Sequence, residues 1–383
     1  MSGRRTTIGC SAVALIATLF PPLHRASNAS DVSLFPTRTA WTLALNNRLV
    51  APPAYDESRA YFAIDGDRLV AYEIASGTQL WIASAAVTLR PAAGENLVFV
   101  VEPSMLTARH AADGSLAWAL PLADAMATPP AWDNGWLVLA TTTGAVITLR
   151  GVDGLVLWRQ EIGSPAHAAP SLAADRVYVP TDDGRVVALN VETGAPVWER
   201  QLGGEPREIL ALDERLYVGS NDNSLYCLMA KDGRIDWRWR TGADVVGRPV
   251  ADEHRVYFVS LDNMLRGMDM VSGAQRWIKP LLIRPAWGPV RIGQTVIVAG
   301  QAQSLYAFAT KDGAPAGDIA AGAELTAPPH VFENPQTKQP SLLVVTRHIA
   351  QGAAALLVTR ATEPPVSPFA PLPNLTPIEI KTP

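Results

Sequence analysis

One pattern recurs along this chain and limits what it can fold into: a small or acidic residue, a glycine, three residues and a tryptophan. It appears at Gly77 to Trp81, Gly114 to Trp118, Gly154 to Trp158, Gly194 to Trp198, Gly233 to Trp237 and Gly273 to Trp277, with successive tryptophans 37, 40, 40, 39 and 40 residues apart. One period later Asp312-Gly313 returns with Gly317 in the tryptophan position, and one period earlier stands Trp41. A repeat of this length is one supersecondary unit that buries its faces only against its neighbours.

A second mark recurs at Pro53, Pro91, Pro130, Pro170, Pro249, Pro289 and Pro329, with Leu210 read into the one vacant slot, and it counts eight units. Proline cannot donate to a sheet ladder, so a strand that begins with one in nearly every unit is expected at a sheet edge, here lining a central channel. Apolar runs follow, such as Arg176-Val177-Tyr178-Val179 and Arg255-Val256-Tyr257-Phe258-Val259, rich in β-branched and aromatic residues that suit a second strand. Tight-turn residues come next, at Asp182-Asp183-Gly184, Asn221-Asp222-Asn223 and Asp262-Asn263. A third apolar run then leads into the Gly-x-x-x-Trp stretch as a fourth strand.

Four short strands per period predict an all-β chain, an eight-bladed β-propeller of four-stranded antiparallel blades. Trp41 belongs to a fourth strand with no blade before it, and the last unit, from Pro329 through Leu342-Leu343-Val344-Val345 to Ala355-Leu356-Leu357-Val358, lacks one. The N-terminal strand is therefore expected to close the ring by completing the eighth blade. Four tryptophans, Trp132, Trp136, Trp239 and Trp287, lie off the repeat register and are read as packing between blades.

Before the repeats, Arg4 and Arg5 precede an apolar run from Ile8 to Phe20, followed by Ser27-Asn28-Ala29, the order of a secretory signal peptide. Residues 1–29 are expected to be removed after Ala29, leaving the propeller over 30–362. The remaining stretch, 363–383, has seven prolines in 21 positions and reads as an extended tail. The run is too short to span a bilayer. Cys10 lies inside it rather than after it, so no lipid attachment is expected. Loss of Arg4, Arg5 and Arg25 turns 32 basic and 36 acidic residues into 29 and 36, a charge of −7, which argues against nucleic acid as a partner. The one cysteine left, Cys227, sits in Leu225-Tyr226-Cys227-Leu228 and is expected to be buried in a strand.

The stretch Ala188-Leu189-Asn190-Val191-Glu192-Thr193-Gly194-Ala195-Pro196-Val197-Trp198 resembles the tryptophan-docking repeat of the pyrroloquinoline quinone propeller superfamily, and the whole region 41–360 follows it. The resemblance implies that each tryptophan is held between blades against backbone, next to glycines that let a large ring lie close. Quinone-dependent dehydrogenases of the superfamily carry a vicinal disulfide and sometimes a haem-attachment motif, and neither a Cys-Cys pair nor C-x-x-C-H occurs here. The chain is more similar to the superfamily's non-catalytic subunit of the outer-membrane β-barrel assembly machine, in length, signal and eight-unit count. That similarity implies a monomeric periplasmic scaffold that binds envelope proteins, without a cofactor. The runner-up is a secreted quinone- or small-ligand-binding propeller related to the dehydrogenases. Gly163-Ser164-Pro165 stands where the family's partner-docking loop falls, so no partner-binding residue is carried over.

The residues alone offer few candidate sites. His110, His167, His254, His330 and His348 show no metal-ligand spacing, and no nucleophile elbow, phosphate loop or dinucleotide glycine fingerprint occurs. One cluster is retained. Counted on the proline register, Arg90 and Arg248 fall one residue before the mark, and His167 and Arg207 three before, so all four are expected at one mouth of the channel. Such a ring suits an acidic peptide or another anion.

Overall fold

A computed structural model describes residues 33–212, 214–348 and 352–361. The signal peptide with its cleavage after Ala29, and the tail 363–383, lie outside these residues. The described chain forms eight antiparallel sheets in sequence order, the propeller expected from the repeat. In blade 4, for example, the strands are Ser171–Ala173, Arg176–Pro180, Arg185–Asn190 and Pro196–Gln201, running from the channel to the rim. Blade 8 is closed as predicted: Thr37–Ala44 pairs antiparallel with Gly352–Arg360, with Trp41 opposite Leu357. Its inner edge is split into Glu324–Leu325 and His330–Glu333, both paired with Pro340–His348.

Position in the blade explains the composition of each strand. The middle strands are covered on both faces by neighbouring blades, so they read as continuous apolar runs: in Arg59–Ile64 and Arg215–Ser220 every residue after the arginine is buried. The wedge-shaped blades splay apart toward the rim. Outer strands such as Val156–Glu161 therefore alternate between exposed and half-buried positions. Cys227 lies in the third strand of blade 5, fully buried, and burial pushes its thiol up to about 12. A thiol held so far above its usual range stays protonated and inert.

The tryptophans dock across blade interfaces, and each ring rests on the next blade's glycine rather than on the one four residues before it. Trp198, on the outer strand of blade 5's predecessor, donates its Nε1 hydrogen to Ala230 O at 2.9 Å, and its ring covers Gly233 so closely that a Cβ there would sit 2.4 Å from it. The same pair of contacts links Trp41 to Ile74 O and Gly77, Trp81 to Ala111 O and Gly114, Trp118 to Gly151 O and Gly154, and Trp158 to Val191 O and Gly194. Trp237 meets Met270 O and Gly273, and Trp277 meets Thr310 O and Gly313. These seven glycines have φ between +67° and +74°. The turn thus asks for glycine twice, once for its backbone and once for the ring above it. The expectation of a ring held between blades is met, with its glycine partner supplied one period later.

The interface between blades 7 and 8 lacks this device because Gly317 stands where the tryptophan belongs. Phe35 fills the place from the N-terminal segment, its ring 2.6 Å from where a Cβ on Gly317 would lie. Leu34, fully buried, joins the same core with Ile319, Leu342 and Val358.

Candidate functional site

Pairing between inner and second strands sets the true register around the channel. Ser171 faces Tyr178, Val250 faces Tyr257 and Leu210 faces Tyr217, so Leu210 matches the residue after the proline mark and Ile209 fills the slot that the sequence assigned to Leu210. The cause is one residue fewer in the irregular stretch: Pro206, opposite Ser220, lies four before Leu210, whereas Val245, opposite the matching Ser260, lies five before Val250. The correction moves Arg207 to two residues before the mark, one step off the level of His167. It also brings in a residue that repeat counting missed: Glu208 now shares the level of Arg90 and Arg248.

The four predicted residues therefore do not form one ring. Arg90, two residues before the inner strand Ala92–Gly94 of blade 2, and Arg248, on the inner strand Val245–Ala251 of blade 6, each stand one residue before the proline mark, in blades that are opposite in a ring of eight. The other members of that level are Pro52, Pro129, Ala169, Glu208, Gly288 and Pro328. Among the described residues neither arginine makes a hydrogen bond or ion pair. Arg248 meets solvent, yet inner strands crowd round it, and that confinement lowers its pKa while nearby Glu208 opposes the shift.

His167, in the loop before Ser171–Ala173, and Arg207, at the start of the inner strand Pro206–Ala211, instead lie toward one face and have acidic neighbours. His167 Nδ1 lies 2.5 Å from Asp182 Oδ2, with the imidazole largely exposed. Arg207 reaches Glu205 and Asp244, both at 4.0 Å. Backbone bonds from Asp182 N to Pro165 O and from Asn221 N to Glu205 O tie the loops of this face together. Exposed pairs of this sort contribute little to stability.

Beside Arg90 the channel wall carries an aromatic stack. Tyr55 of blade 1 and His330 of blade 8 lie face to face, 3.8 Å between centroids and 8° apart. Burial, helped by the charge of Arg90, lowers the His330 pKa to about 4. Burial raises that of Tyr55, whose hydroxyl has no hydrogen-bond partner among the described residues. Both rings are therefore neutral near pH 7. Sequence reasoning had no means to join two residues from opposite ends of the chain.

The rim offers a different surface. Leu80, Ile82, Leu116, Val156, Leu157, Val197, Ile235 and Ile278 are all exposed and all lie on outer strands, whose far edges have no neighbouring strand in their sheets. Apolar side chains beside free backbone donors and acceptors suit strand addition by a partner. The off-register tryptophans are packing residues, as expected: Trp132, Trp136, Trp239 and Trp287 each lie half-buried against a blade core.

No curated protein matches the chain by sequence. Similar solved structures include BamB from Moraxella catarrhalis, 20% identical with a TM-score of 0.67, covering 84% of this chain and 97% of that one. Quinohemoprotein alcohol dehydrogenase from Comamonas testosteroni is 12% identical with a TM-score of 0.68, covering 84% and 76%. Sqt1 from Saccharomyces cerevisiae is 10% identical with a TM-score of 0.71, covering 84% and 99%. At such identities the likeness is one of fold. A family model described as outer membrane protein assembly factor BamB matches residues 30–121, 104–213 and 208–327, so with repeat and ring in agreement over that span the chain belongs to this family.

Proposed function

We propose that the protein is a non-catalytic scaffold of the periplasm that binds protein partners in outer-membrane assembly. The family match over most of the propeller carries this reading. The rim supports it physically, since exposed apolar residues on unpaired outer strands provide both side-chain contact and main-chain hydrogen bonds to an added segment. Cys227 lies buried between Tyr226 and Leu228 and has no adjacent cysteine with which to form a vicinal disulfide, which favours the scaffold over a dehydrogenase. The test is affinity purification of the tagged protein from its native envelope in mild detergent, with mass spectrometry and an absorption spectrum of one eluate. Barrel-assembly subunits without a chromophore are expected. Recovery of the protein alone with bound quinone overturns the reading.

A further inference from the structure

The channel carries an inference of its own. Arg90 and Arg248 hold the same repeat position, one residue before the proline mark, in opposite blades; both are exposed, neither makes a hydrogen bond or ion pair among the described residues, and Glu208 is the only other charged residue at that position of the repeat. Three prolines, an alanine and a glycine complete the level, so nothing else in it competes for an anion. We propose that this level of the channel binds a small organic dianion, one acidic group held by Arg90 and the other by Arg248.

Three features favour that ligand class. Guanidinium groups take carboxylates through paired, charge-assisted hydrogen bonds, and two on facing walls select acidic groups at both ends of one molecule. A channel focuses the field of cations on its walls more than an open face does. His167 and Arg207 are already matched, by Asp182 and by Glu205 and Asp244, so an anion gains more at Arg90 and Arg248. Glu208 acts on Arg248 from the neighbouring blade and tempers its pull. The site uses no outer-strand residue, so it stands or falls independently of partner binding at the rim.

The experiment is calorimetric titration of the full protein at low salt with succinate, glutarate, adipate and pimelate, and with butyrate as the single-ended control. Saturable binding of at least one dicarboxylate is expected, about tenfold or more tighter than butyrate. Arg90→Gln and Arg248→Gln should each weaken it by about fivefold or more, Glu208→Gln should tighten it about two- to fivefold, and Arg207→Gln should leave it unchanged. Near-ultraviolet circular dichroism checks that each variant keeps its tryptophan docking. No saturable binding by the native protein, butyrate binding as tightly as the dicarboxylates, or affinity that follows Arg207 instead of the channel pair overturns the proposal.

Discussion

Seven blade interfaces and the eighth solve the same problem by different means. At seven, a tryptophan from one outer strand donates to a backbone carbonyl of the next blade and lies on its glycine. At the junction of blades 7 and 8, Phe35 packs on Gly317 from a segment far away in sequence. The first solution is local, joining residues 30 to 36 positions apart, and repeats wherever the motif repeats. The second depends on the N-terminal strand being in place. Phe35 has no indole N–H and so cannot supply the hydrogen bond. The difference teaches that ring closure, rather than any single blade, is where this fold concentrates its long-range dependence.

Deleting residues 33–44 breaks the comparison most severely. It strips blade 8 of its outer strand and removes Leu34, Phe35 and Trp41 together, and loss of the cooperative thermal transition is expected by circular dichroism. Trp198→Ala at a repeating interface should cost about 3–5 kcal/mol and Phe35→Ala, half-buried and lacking a hydrogen bond, about 2–3 kcal/mol in chemical denaturation. Equal costs would show that closure is as strong as the repeat.

Glycine substitutions sharpen the contrast among the repeating interfaces themselves. Gly233→Ala places a Cβ 2.4 Å from Trp198 at a positive φ and should cost about 2–4 kcal/mol. Gly77→Ala meets Trp41 at 3.1 Å and should cost about 1–2 kcal/mol, mostly from the backbone. A reversed order in denaturant midpoints would mean that the rings move aside freely.

Blade 8 also holds the titratable contact. His330 has a folded-state pKa of about 4 against an ordinary 6.5, so above that ordinary value both folded and unfolded states are neutral and stability is unaffected. As pH falls from 6.5 toward 4 the unfolded chain takes up the proton first, and stability drops by about 1–3 kcal/mol. His330→Phe, which keeps a ring on Tyr55, should flatten that part of the stability profile. An unchanged slope would assign the acid sensitivity to other groups.

The repeat made blade number, strand order and closure legible, because Gly-x-x-x-Trp and the proline mark each report a backbone requirement. The phase of the inner strands was less legible. One residue fewer before Ile209 than in the matching stretch of blade 6 moved Arg207 off its expected position and brought Glu208 to that of Arg90 and Arg248, and nothing in the composition of Glu205-Pro206-Arg207-Glu208 announces the loss. Phe35 was invisible because it lies in no repeat. The Tyr55 and His330 stack was hidden for a related reason: spacing within a unit says nothing about which side chains two units turn toward each other.

The pairing of Thr37–Ala44 with Gly352–Arg360 has a consequence in time as well as in space. More than three hundred residues separate the two strands, and drawing the ends of so long a loop together costs about 5 kcal/mol of chain entropy before any contact repays it. Such non-local pairing is slow. The strand that emerges first from synthesis must therefore wait, unpaired, until nearly the whole chain has followed it. During that interval blades 1 and 7 present faces that the finished ring covers, so the half-made molecule is most adhesive just before completion.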